Sequence, residues 1–233
     1  MDESDVIRQL KGGIIVSCQA EGDDPFNANP EYMALFAKAA EMGGAIGIRT
    51  QGVAKLQAIK NVTNLPVIGL LKSKFPDGTV LITGSFHEVE QLINSGSDIV
   101  AIDGTFRERE GMTGPMFIKE VKKRYGCFVL ADIATFAEAI ACEAAGANAI
   151  STTLNGYTPD TQYCHSGPNY DLLKDCVDGL NVPVFAEGRY NTPNEAAKAM
   201  SLGAYAVITG TAITRPRVIT QWFVQEINKI LNN

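Results

Sequence analysis

The stretch LGAYAVITGT, residues 202–211, passes from a glycine and an alanine into an apolar run and stops at Gly-Thr. Glycine ends helices because it takes the left-handed conformation without a Cβ clash. A short apolar run bounded by such residues reads as a strand buried on both faces. The same order recurs upstream in MGGAIGIRT (42–50), SGSDIVAIDGT (95–105) and AGANAISTT (145–153). Their glycines, Gly44, Gly96, Gly146 and Gly203, stand 52, 50 and 57 residues apart. Each interval has room for two strand–helix units, so the chain reads as four quarter-barrels.

Working outward, eight runs read as buried parallel strands: 13–19, 45–50, 66–72, 98–104, 128–134, 148–152, 183–189 and 206–211. Amphipathic stretches such as PEYMALFAKAAEMG, SFHEVEQLINSG and TPNEAAKAMSLG lie between them. Several open on Ser, Thr or Pro and close on Gly, as helix caps require. Eight alternating units in 233 residues predict an α/β fold, a single (β/α)8 TIM barrel with a short N-terminal helix, one domain over 1–233. No Gly-x-Gly-x-x-Gly follows the first strand, which argues against a dinucleotide-binding sheet.

Composition narrows the function classes. Apolar residues make up 45% and charged residues 20%, as in ordinary globular chains. A net charge of −6 offers no broad basic field, so nucleic acid is not an expected partner. The acidic N-terminus MDESDVIRQL is no signal peptide, and no apolar run approaches the roughly 20 residues of a membrane span. The cysteines, 18, 127, 142, 164 and 176, are odd in number and form no Cys-x-x-Cys, so they read as reduced thiols of a cytoplasmic protein. With only His87 and His165, a transition-metal centre is not expected.

The longest loops, AEGDDPFNANP, SKFPDGTVLITG and TLNGYTPDTQYCHSGPN, all follow strand ends, whereas the returns from helix to strand are short. A TIM barrel keeps its active site on that face. The strand tips there read Gln19, Arg49, Lys72, Asp103, Asp132, the 152–155 region, Glu187-Gly188-Arg189 and Gly210-Thr211. A ring of acids and bases around one opening is the pattern of a site, although either aspartate could instead cap a following helix. Lys72 ends VIGLL, and apolar surroundings disfavour an ammonium. Such an amine can act as a general base or as a Schiff-base nucleophile. The loops after the last two strands, EGRYNTP and TGTAITRP, each combine glycine, small hydroxyl residues and an arginine, Arg189 or Arg215. They suit a phosphate, held by backbone N–H groups and a bidentate guanidinium.

The motifs GGIIVSCQA, AIGIRTQG, PVIGLLK, DIVAIDGT, ADIAT, FAEGRYNTP and VITGTAITRP resemble, in order and over about residues 10–218, the N-acetylmannosamine-6-phosphate 2-epimerase family of sialic acid catabolism. The resemblance implies interconversion of N-acetylmannosamine 6-phosphate and N-acetylglucosamine 6-phosphate without redox cofactor or metal. It implies Lys72 as acid/base and Glu187 as its catalytic partner. Substrate contacts then fall on Gln19, Arg49, Asp103, Asp132, Arg189 and Arg215, with Gly188, Gly210 and Thr211 at the phosphate. The loop over 154–169 matches that family least. A Schiff-base lyase using Lys72, a metal-dependent pentose-phosphate epimerase and a non-catalytic phosphosugar-binding protein are the rival readings; the scarcity of histidines counts against the second.

The C-terminal stretch RPRVITQWFVQEINKIL (215–231) reads as a helix. Its apolar positions, Val218, Trp222, Ile227, Ile230 and Leu231, spread beyond one narrow stripe. The expectation is a homodimer to which this helix contributes; the alternative is a helix that only closes the barrel.

Overall fold

The computed structural model describes residues 3–20, 22–162 and 167–231. Eight strands form a closed parallel barrel: β1 (Ile14–Cys18), β2 (Gly47–Gln51), β3 (Val67–Leu70), β6 (Ile99–Asp103), β7 (Val129–Asp132), β8 (Ala149–Ser151), β9 (Val184–Glu187) and β10 (Ala206–Thr209). Pairing runs β1-β2-β3-β6-β7-β8-β9-β10 and back to β1, so no edge is left open. Between β3 and β6 two short strands, β4 (Lys72–Lys74) and β5 (Val80–Ile82), pair antiparallel. The expected loop 73–84 is therefore largely a hairpin, and the third barrel strand ends at Leu70 rather than Lys72.

The helices are α1 (Glu3–Gln9), α2 (Pro30–Met42), α3 (Val53–Lys60), α4 (Phe86–Asn94), α5 (Gly114–Tyr125), α6 (Phe136–Ala144), α7 (Tyr170–Gly179), α8 (Pro193–Ser201), α9 (Thr211–Thr214) and α10 (Pro216–Leu231). Three of them start on the same device. Ser85 with Glu88, Thr135 with Glu138, and Thr192 with Glu195 form capping boxes, in which each side chain bonds the other residue's backbone N–H. The four repeat glycines, Gly44, Gly96, Gly146 and Gly203, take φ of 93, 83, 94 and 97°, the left-handed turn that the quarter-barrel reading requires.

Alternation along the strands makes two apolar layers. Ile15, Ile68, Leu70, Ile99, Ala101, Leu130, Ala149, Phe185, Ala206 and Ile208 fill the barrel interior. Val16, Ile48, Val67, Val100, Ile102, Val129, Ile150, Val184 and Val207 face outward into the helix layer. Helix α1 plugs the bottom, where Val6 and Leu10 join the interior cluster and the Tyr205 hydroxyl donates to Ile7 O at 3.0 Å. Gly47 makes room for that plug, since a Cβ there would fall 2.4 Å from Leu10 Cδ2. Among the described residues no helix is long and apolar enough to cross a membrane.

Candidate active site

Continuing each inward-facing series toward the strand C-termini replaces aliphatic residues by polar ones. Ile15 is followed by Ser17 and Gln19, Gly47 by Arg49, Leu130 by Asp132, Ala149 by Ser151 and Thr153, Phe185 by Glu187, and Ile208 by Gly210. One period-two rule thus packs the bottom of the barrel and aims chemistry into its mouth. A cavity of about 460 Å³ opens there. Of the expected residues, Gln19, Arg49, Lys72, Glu187, Gly188, Arg189, Gly210, Thr211 and Arg215 all line it.

At the floor lies Arg49, only 1% exposed. Its guanidinium makes a two-pronged bond to Asp132, at 2.9 and 2.6 Å, and reaches Glu187 Oε2 at 2.8 Å. Burial works against the cation, but the two carboxylates outweigh it and raise its pKa. One positive charge thus faces two acids. Burial raises the pKa of Glu187 above the ordinary carboxylate range; Arg49 pulls it down and Asp132 pushes it up again, and the net direction is upward. Ser151 and Thr153 donate into the same oxygen cluster, with Thr153 Oγ1 at 2.6 Å from Asp132 and 2.8 Å from Glu187.

Asp132 does not itself line the cavity; it stands behind Arg49 and Thr153 with no exposed surface. Asp103 lies away from the cavity altogether. It is fully buried, and its oxygens are taken by Arg107 at 2.8 Å, Arg109 at 2.8 Å and the Thr105 hydroxyl at 2.6 Å. The loop after β6 supplies those arginines, so the acid is spent on holding its own loop. A strand tip read in isolation cannot reveal this.

Lys72 follows β3, which lies between β2 and β6 and across the barrel from β9. It opens the β4–β5 hairpin, opposite Ile82, and lies between the main cavity and a neighbouring one of about 400 Å³ that Lys55 and Lys74 also line. Gln19 is turned by its bond to Ser17 Oγ at 2.9 Å. The loop after β9 builds another corner of the cavity. Arg189 takes the left-handed conformation, φ 61°, donates to Asn155 O at 3.2 Å and lies 4.8 Å over the Tyr157 ring. Gly156 lies directly beneath it, where a Cβ would fall 1.8 Å from Arg189 Nη2. The loop over 154–162 therefore shapes the site; Cys164 and His165 lie outside the described residues.

Several lining residues were not expected at the site from the sequence: Ser17, Val80, Ile82, Tyr157, Asn191 and Trp222; Thr153 falls within the expected 152–155 tip. Ser17 obeys the same parity as the expected residues, so the alternation could have found it. Trp222 comes from α10, and only folding brings it to the mouth.

A family model described as "Putative N-acetylmannosamine-6-phosphate epimerase" matches residues 33–229. The chain belongs to the N-acetylmannosamine-6-phosphate epimerase family. Two relatives named "Putative N-acetylmannosamine-6-phosphate 2-epimerase" span nearly its whole length. That of Caldanaerobacter subterraneus subsp. tengcongensis is 45% identical over 229 residues, 97% of this chain and 96% of its own. That of Clostridioides difficile is 41% identical over 222 residues, 95% of this chain and 99% of its own. The solved N-acetylmannosamine-6-phosphate 2-epimerase of Clostridium perfringens superposes with a TM-score of 0.87 at 39% identity, covering 94% of this chain and 95% of that one. A thiamine phosphate pyrophosphorylase from Pyrococcus furiosus, at 15% identity and a TM-score of 0.61, shares the fold alone. In this epimerase-family chain the TIM barrel with its short N-terminal helix is as expected from the repeats.

Proposed function

We propose that this chain epimerises C2 of N-acetylmannosamine 6-phosphate, giving N-acetylglucosamine 6-phosphate, by moving a proton at the carbon α to the open-chain aldehyde. The observation that carries this reading is the meeting of Lys72 and Glu187 in one cavity of an epimerase-family barrel. The amine form of Lys72 accepts the C2 proton from one face, and Glu187 supplies a proton from the other. Negative charge then develops on the C1 oxygen, and the Arg49 guanidinium, fixed by Asp132, stands ready to stabilise it without rearrangement. Arg189, Arg215 and the backbone around Gly188, Gly210 and Thr211 take the phosphate, which anchors the far end of the sugar and positions C2.

The proton moves between carbon, amine and carboxyl, and no electron transfer is needed. The test is proton NMR of N-acetylmannosamine 6-phosphate with the protein in D2O. Solvent deuterium should enter C2 of both epimers, with no response to added NAD or divalent metal. Retention of the C2 hydrogen throughout would exclude deprotonation. Borohydride added during turnover should trap no imine on Lys72, which separates the epimerase from a Schiff-base lyase.

The protein works as a cytoplasmic homodimer in this reading. The buried thiols Cys18 and Cys176, pushed up to about 12 by burial, suit a reducing compartment in which they stay unreactive. Helix α10 has no buried residue, and Phe223, Ile230 and Leu231 are 68, 77 and 74% exposed. An apolar face of that kind suits burial against a second copy.

A further inference from the structure

Thr153 Oγ1 has three oxygen neighbours: Asp132 Oδ1 at 2.6 Å, Glu187 Oε2 at 2.8 Å and Ser151 Oγ at 2.8 Å. Ser151 Oγ also stands 3.2 Å from Glu187 Oε2. These are four oxygen–oxygen contacts, and the two hydroxyls bring only two protons. In particular, the single Thr153 proton cannot serve both carboxylates. With both acids ionised, one contact of 2.6 or 2.8 Å would press a lone pair against a negative oxygen in a buried place, where such an arrangement is costly.

A third proton, placed on Glu187 Oε2, removes the conflict. Glu187 then donates to Thr153, Thr153 donates to Asp132, and Ser151 donates to Thr153, so each contact of 2.6–2.8 Å holds one proton and only the 3.2 Å Ser151–Glu187 contact holds none. The cation count assigns that proton to Glu187 rather than Asp132. Arg49 uses both Nη groups on Asp132 but only Nη1 on Glu187. Lys72, Arg189 and Arg215 line the same cavity, with Arg189 turned to Asn155 O at 3.2 Å and to the Tyr157 ring. The upward pKa shift of Glu187, from burial first and from Asp132 beside it, agrees with this assignment.

We propose that Thr153, backed by Ser151, is a positioning residue that accepts a hydrogen bond from a protonated Glu187 and passes its own proton to Asp132, so that Glu187 meets the substrate as a neutral acid. When Glu187 gives its proton to C2 it becomes a carboxylate. The Thr153 hydroxyl then turns from Asp132 to Glu187 and stabilises the new charge. No atom other than the transferred proton is exchanged.

Infrared difference spectra between the wild type and Glu187→Gln read the protonation state directly. The wild type should show a protonated-carboxyl C=O band near neutral pH that shifts in D2O. Absence of that band overturns the proposal. In kinetics, Thr153→Val should lower kcat at least about tenfold with KM within about threefold, because the loss falls on proton transfer rather than on binding. Thr153→Ser, which keeps the hydroxyl, should recover most of the rate. A Val variant with wild-type kcat, or a Ser variant as impaired as Val, would assign Thr153 to packing alone and reject the role. Should Thr153→Val fail to fold, the infrared measurement decides. The kinetic arm rests on the epimerase reading of Glu187 and the infrared arm does not, so failure of one reading is distinguishable from failure of the other.

Discussion

Lys72 reaches the barrel mouth from the hairpin rather than from a barrel strand. Its backbone is held by pairing with Ile82, and the base of the hairpin is tied by Thr83 N–H donating to Leu71 O at 2.7 Å. Removing the side chain therefore deletes chemistry and leaves the wall standing. Lys72→Ala should lose turnover to below about one per cent of wild type while phosphosugar affinity stays within about tenfold, because the phosphate supplies most ground-state binding. Steady-state rates and calorimetric titration with the product check both halves; a variant retaining a substantial rate removes Lys72 from the acid/base role. Arg49 behaves differently. It is both a candidate stabiliser of the enediolate and the cation that joins Asp132 to Glu187. Its loss would leave buried charge uncompensated, a change on the order of 3–5 kcal/mol in stability.

Among the elements, α10 departs most from what its sequence pattern suggests for a lone barrel. It is 16 residues long and apolar on a broad face, yet it buries none of its residues, while Trp222 at its inner edge reaches the cavity. A helix that only closed the barrel would bury a stripe as α4 does through Val89 and Leu92. If α10 packs on a second copy, sedimentation should give a dimer at micromolar concentration. Trp222→Ala with Phe223→Ala should shift it toward monomer, and activity should fall with it because the mouth loses Trp222. A monomeric wild type, or a double variant that stays dimeric, rejects this helix as the interface.

For the molecule as a whole, the buried acid cluster couples stability to pH. Glu187 titrates higher in the folded chain than when unfolded, so between those two values the folded state holds the additional proton. Its contribution is fully present below the ordinary glutamate range and is lost as pH rises through the folded value. Glu187→Gln carries no such proton and should not show the decline. Melting temperatures of the two proteins across the pH range should therefore separate, the variant gaining on the wild type as pH rises. A constant difference, or one of opposite slope, would mean that Glu187 is ionised in the resting barrel.

The barrel was legible from four glycine-to-strand repeats because helix termination and two-sided strand burial are local demands, met by glycine and by short apolar runs wherever the chain makes that turn. The tips Arg49, Lys72 and Glu187 were legible for the same reason, since a charged residue closing a buried run is exceptional within a few residues of sequence. What those charges face was decided only in three dimensions. Asp103 and Asp132 end their strands alike, yet one is taken by Arg107 and Arg109 from its own loop and the other by Arg49 from across the barrel. Trp222 carries no local mark as a site residue, and the hairpin hides in a stretch that reads as loop. Partner choice among buried charges depends on distances of a few ångströms between segments far apart in the chain, 83 residues for Arg49 and Asp132, and period and composition do not encode those distances.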